Sequence, residues 1–160
     1  MSTHFDTDRD LTISRVIKAP RALTWRAFAE PELFAKWWVP APTTLDVLEL
    51  SLHPGGAMRT EMRNDGGPPE PHMHACILDV EPQRRLVFTT ALQSAWRPAP
   101  ESAIMITAVL TLEDHSDGTL YSAHVMHRDA AARQVHETLG FADGWGTVAA
   151  QLAGLVEGMT

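Results

Sequence analysis

Apolar and polar positions first alternate in short runs along this chain, then recur every three or four residues near its end. Leu11, Ile13, Arg15 and Ile17 alternate with Thr12, Ser14, Val16 and Lys18, which predicts a first strand after a loose polar tail over residues 1–9. Pro20 stops that strand and opens a short helix from Arg21 to Ala29, whose apolar face is Leu23, Trp25, Ala27 and Phe28. Pro31 starts a second short helix carrying Leu33, Phe34, Trp37 and Trp38, and Pro40 and Pro42 end it.

Strands follow. Leu45, Val47 and Leu48 form one run, and Pro54-Gly55-Gly56 marks a turn. Met58, Thr60 and Met62 alternate with Arg59, Glu61 and Arg63, as in a strand wet on one face. A Gly- and Pro-rich loop over residues 64–71 leads to strands at His72–Val80 and Leu86–Ala91, the latter with Leu86, Phe88 and Thr90 on one face. Polar and proline breaks surround Trp96. A long strand is predicted over Ala103–Glu113, and Asp117-Gly118 turns it into an antiparallel return over Thr119–His127. The period then changes. Val135, Leu139, Ala142, Trp145, Ala149, Leu152 and Val156 have helical spacing, with Gly140 dividing a short helix from a long one. The order predicts an α+β fold in which one long helix and two short ones cover an antiparallel sheet. A strongly bent sheet around one helix cannot be filled at its open end, so a pocket is expected there.

Composition narrows the classes of partner. The 160 residues suit one domain, spanning 10–160 after the tail, and the formal charge is −7 with no basic run. Nucleic acid and anionic membranes need a basic face, so neither is expected as a partner. The lone cysteine, Cys76, excludes an internal disulfide and fits a reducing compartment. The polar N-terminus and the absence of a long apolar window predict a cytoplasmic protein.

Several segments together resemble one family. Arg15 to Pro20 followed by Trp25, then Pro31 and Lys36-Trp37-Trp38-Val39-Pro40, resembles the opening of the activator of heat-shock-protein-90 ATPase homologue-like family. Pro54-Gly55-Gly56, Leu86-Val87-Phe88-Thr89, Trp96-Arg97-Pro98 and Gly118-Thr119 follow in order. The run His136-Glu137-Thr138-Leu139-Gly140-Phe141-Ala142-Asp143-Gly144-Trp145-Gly146, then Gln151-Leu152, resembles a bacterial single-domain subgroup. His53 and Ala75 depart from the subgroup's usual Arg and Gly. The resemblance implies the helix-grip fold of the START-like, or SRPBCC, superfamily: a curved antiparallel sheet around a long C-terminal helix. It leaves function open, because that superfamily hosts lipid carriers, hormone receptors and cyclases.

Three functions remain in view. The first is binding of a small apolar or aromatic molecule, with Trp37, Phe88, Trp96, His127, Phe141 and Trp145 lining the pocket. The second is a cyclase- or hydrolase-type enzyme, with His127 or His136 as acid–base and Tyr121 as hydrogen-bond donor. The third is a chaperone-modulating interaction module, as the family name suggests. For every aromatic named, plain core packing is the competing reading. The glycines Gly140, Gly144 and Gly146 weaken a helix and read either as tight helix–sheet contacts or as room for a ligand.

Strand parity bears on the histidines. With Tyr121, Ala123 and Val125 inward, His127 faces the pocket and His124 the solvent. His136 beside Glu137 could be a tuned base, or could serve packing and capping. His72 and His74 share a strand face, but a metal site needs a third ligand such as Glu61 or Asp79, and a hydrogen-bonded pair is the favoured reading. Nucleophile, phosphate-loop, dinucleotide and zinc signatures are absent, and no metal or cofactor is expected. A homodimer would be compatible with the fold.

Overall fold

The computed structural model describes residues 4–160. Strand β1 (Asp10–Ile17) leads to helices α1 (Arg21–Ala29) and α2 (Pro31–Phe34). Strands β2 (Thr44–Leu50), β3 (Ala57–Arg63), β4 (Glu70–Glu81) and β5 (Arg85–Thr89) follow. A small hairpin, β6 (Leu92–Gln93) and β7 (Arg97–Pro98), precedes β8 (Thr107–His115) and β9 (Gly118–Met126). Helices α3 (Ala130–Thr138) and α4 (Phe141–Glu157) end the chain. Seven strands form one antiparallel sheet in the order β1-β9-β8-β5-β4-β3-β2. The fold is the helix-grip α+β arrangement, with α4 packed against β1 and the apolar face of the sheet.

Alternation decides which strand residues enter the core. On β9, Thr119, Tyr121, Ala123 and Val125 are buried and their neighbours are only partly so. Opposite them, Leu11 pairs with Val125 and Leu112 with Tyr121. The same parity places His127 inside, with a relative exposure of 6%. His124, expected at the solvent, is instead largely shielded and lies 2.8 Å from Asp10 Oδ2.

The strand expected to begin at Ala103 joins the sheet at Thr107. Hydroxyls set that boundary. Thr90 Oγ1 accepts the amide of Ile106 (3.0 Å), and the Ile106 carbonyl accepts from the Thr90 amide (2.9 Å) and Thr89 Oγ1 (3.2 Å). Residues 99–106 therefore leave the sheet as a connection that crosses its open end.

The helical phase also differs from the single predicted stripe. Gly140 takes a left-handed conformation (φ 98°) and caps the start of α4. That conformation favours glycine and resets the phase between the two helices. The buried face of α4 is Phe141, Val148, Ala149, Leu152, Ala153 and Val156. Ala142 lies outside it, and Val135 and Leu139 are exposed.

One side chain of α4 fixes the segment after α2. Gln151 Nε2 donates to the carbonyls of Trp37 (3.1 Å) and Val39 (2.8 Å), and its Oε1 accepts the Ala41 amide (2.8 Å). Replacing it leaves backbone groups without partners. Gln151→Ala should lower the unfolding free energy by about 1–2 kcal/mol, read by urea denaturation. An unchanged midpoint and slope would show that the segment is held by packing alone.

Candidate functional site

Where the sheet opens, a cavity of about 600 Å³ remains between β4, the 99–106 connection and the last two helices. That size suits a small-molecule site. Trp38, Val39 and Pro40 form one side, Ile104 and Ile106 the floor of the crossing connection, and Phe141, Trp145 and Val148 the helical wall. His72, His74 and His136 supply polar edges.

Missing side chains help make the space. A Cβ built on Gly140 or Gly144, both on the cavity wall, meets nothing within 4 Å. The close-contact reading of these glycines is therefore replaced by the reading of open room. Gly146, off the wall, also has no neighbour within 4 Å.

The aromatic wall is a connected set of rings, edge-to-face except for the tilted Phe141–Trp145 pair. Trp37 meets Trp38 at 5.2 Å between centroids, Trp38 meets Trp145 at 6.0 Å, and Trp145 meets Phe141 at 5.4 Å. Phe141 in turn meets His136 at 5.1 Å.

Of the pocket residues anticipated from sequence, Phe141 and Trp145 line the cavity. Trp37 lies behind it, fully buried, with Nε1 donating to the Ala27 carbonyl at 2.8 Å. Phe88 also lies behind, its ring edge-on to Trp38 at 5.8 Å. Trp96 is half exposed and covers Gly55, away from the cavity. Tyr121 is sealed against Phe28 and Trp37, and burial pushes its hydroxyl pKa up. Its hydroxyl has no hydrogen-bond partner among the described residues. Trp38, His136, Gly140 and Gly144 also line the wall; the sequence singled out His136 and the glycines, and marked Trp38 only as one aromatic among several. Trp38 could have been picked out only by knowing how the chain turns after α2.

His127 and His136 meet directly. His127 Nε2 lies 2.8 Å from His136 Nδ1, with the rings crossed at 70°. The other nitrogen of His127, Nδ1, donates to the Arg9 carbonyl at 2.8 Å. His127 therefore reaches the cavity through His136 and itself borders a second cavity behind the 99–106 connection. Glu137, the carboxylate beside His136 in sequence, turns to Arg133 at 3.3 Å. Burial, with the charge of His127, depresses the His136 pKa to about 4.

The pair on β4 is split by a bulge. Thr60 pairs with Met73 and Glu61 with Pro71, leaving His72 as the extra residue. His72 Nδ1 bonds Thr60 Oγ1 (2.8 Å), whereas His74 Nε2 bonds Ser94 Oγ (3.3 Å). Burial lowers the pKa of both, and Arg59 adds to the effect at His74. No group of three His, Cys, Asp or Glu side chains gathers as a metal site among the described residues.

Relatives agree with this architecture. The family described as "Activator of Hsp90 ATPase homolog 1-like protein" matches residues 18–157. The chain belongs to that family. Solved structures to which the chain is similar include a protein from Nitrosomonas europaea, 38% identical, covering 97% of this chain and 98% of its own, at a TM-score of 0.90. A Chromobacterium violaceum protein is 27% identical over 93% of this chain and 98% of its own, at a TM-score of 0.70. A Rhodobacter sphaeroides protein shares the fold at 18% identity, with 95% and 94% coverage and a TM-score of 0.81. No protein of curated function matches the chain. No helix among the described residues is long and apolar enough to cross a membrane.

The depressed pKa of His136 links the site to stability. An unfolded histidine takes up a proton near pH 6.5, but the folded one resists until about pH 4. Across that interval the unfolded state binds more protons, so stability falls with falling pH; above pH 6.5 this contribution is flat. Thermal midpoints followed by circular dichroism should decline across this window, and less steeply in His136→Phe. Parallel profiles for the two proteins would remove His136 as the source.

Proposed function

We propose that this chain is a cytoplasmic binding protein for a small apolar or aromatic molecule, held between the sheet and α4. The observation that carries the reading is a cavity of about 600 Å³, walled by Trp38, Phe141 and Trp145, beside helix glycines that face open space. A helix interior keeps glycine at a cost of roughly 1 kcal/mol relative to alanine. At Gly144 that cost is not offset by a tight contact, and the room it leaves belongs to the cavity.

The binding reading is favoured over an enzyme. The hydroxyl of Tyr121 is sealed in the core, and His127 acts on the cavity only through His136. A reacting pair of ionisable groups would need to converge on one point in the cavity. The three histidines on its wall are each turned to a different partner: His72 to Thr60, His74 to Ser94 and His136 to His127.

Native mass spectrometry of gently purified protein should detect a co-purifying small molecule that denaturation releases. Two variants sharpen the test. Gly144→Leu should raise the unfolding free energy by about 0.5–1 kcal/mol and abolish retention of the molecule. Gly146→Ala should give a similar gain in stability with the molecule retained. Loss of retention in both, or in neither, would separate the molecule from the cavity.

A further inference from the structure

The hydrogen bonds around His127 fix where the protons sit, and with them the polar character of the cavity. The Arg9 carbonyl can only accept, so His127 Nδ1 carries a proton. In the uncharged ring the remaining nitrogen, Nε2, is then a lone pair. It faces His136 Nδ1 at 2.8 Å, which must supply the proton for that bond. An uncharged His136 protonated at Nδ1 has a bare Nε2. That atom makes no hydrogen bond among the described residues and is not sealed from solvent. His136 is on the cavity wall, in contact with Phe141 and 6.4 Å from Trp145 between ring centroids.

We infer that His136 presents an unprotonated Nε2 as an acceptor to the cavity, so that the ligand's polar end is an uncharged donor of the phenol or alcohol type. The inference rests on the binding reading above and adds the chemistry of the ligand's head. A carboxylate would meet a lone pair, whereas a hydroxyl on an aromatic body would donate to it while the body lies against Trp38 and Trp145. His127 is the positioning residue: it holds the His136 tautomer and touches no ligand itself.

The same proton count predicts a reversal. With Arg9 holding one proton on His127 Nδ1 and a second proton shared between the rings, a third anywhere on the pair places N–H at the free Nε2. Charged groups on the surrounding elements are largely engaged with one another. Arg133 pairs with Glu137 on α3, Arg128 with Glu101 (3.0 Å) and Asp129, and Asp10 of β1 with His124. Asp143 lies in the first turn of α4, and His72 and His74 stand on β4 across the cavity. Burial is the largest influence on His136 itself, and His127 further opposes its protonation.

Two measurements test the inference. Nitrogen-15 correlation spectra of the full-length protein at neutral pH should show His136 Nε2 as the unprotonated type and Nδ1 as the protonated type. A protonated Nε2 would overturn the inference whatever the ligand. Titration calorimetry with naphthalene, naphthol, methoxynaphthalene and naphthoate then reads the head-group preference. Naphthol should bind about tenfold more tightly than methoxynaphthalene, the size expected of one hydrogen bond, and naphthoate more weakly still. In His127→Phe the His136 tautomer should become mixed and the naphthol preference collapse, with naphthalene affinity unchanged. Equal affinities for all four probes in the wild-type protein would overturn the donor inference alone. Failure of all four to bind would overturn the binding reading and the inference together.

Discussion

The left-handed turn at Gly140 is the constraint on which the site depends. It ends α3, starts α4 and shifts the helical phase between them. Without that shift, the apolar stripe through Val135, Leu139 and Ala142 would continue into α4. With it, Val135 and Leu139 stay exposed, while Phe141, Val148 and Leu152 turn inward. The same bend carries His136 to the end of β9, where it meets His127, and sets Phe141 and Trp145 beside it. A β-carbon at position 140 would meet no neighbour, so its obstacle is backbone conformation alone.

The fold was legible in the sequence because its signals are local and periodic. Alternation along β9 correctly placed Tyr121, Ala123, Val125 and His127 on one side, and the glycine in the final helical stretch marked a real boundary. The site was only partly legible, for a physical reason. Trp37 and Trp38 are adjacent, and which one meets the cavity depends on the turn after α2 and on Gln151 holding that turn from another helix. Trp96 sits in a 3-10 turn between two very short strands, where no period assigns a face. Thr89 and Thr90 end the β8 ladder through their hydroxyls, which hydrophobic patterning cannot register. The Arg9 carbonyl that orients His127 belongs to the backbone and has no signature at all.

The chain is acidic overall, but its cavity is lined by imidazoles held away from charge. Burial lowers the pKa of His72, His74 and His136. A neutral polar edge within an apolar wall discriminates ligands by hydrogen-bond pattern instead of net charge, since burying an unpaired ion is costly. The outer ion pairs, such as Arg63 with Asp46 on neighbouring strands, lie in partly exposed positions and contribute little to either recognition or stability.

Stability and room oppose each other along α4. Glycine at 144 and 146 weakens the helix, and neither position is tight enough to demand it. Only Gly144 borders the cavity, so its lost helix propensity has a steric counterpart and that of Gly146 does not. Marginal stability is tolerated where function needs space. The surrounding structure supplies compensation near that point: the hydrogen bonds of Gln151, the continuous ring contacts from Trp37 to His136, and the Arg9–His127–His136 chain all tie α3 and α4 to the rest of the fold. The cavity wall can therefore give up side chains at the glycines while its aromatic and imidazole groups keep fixed positions.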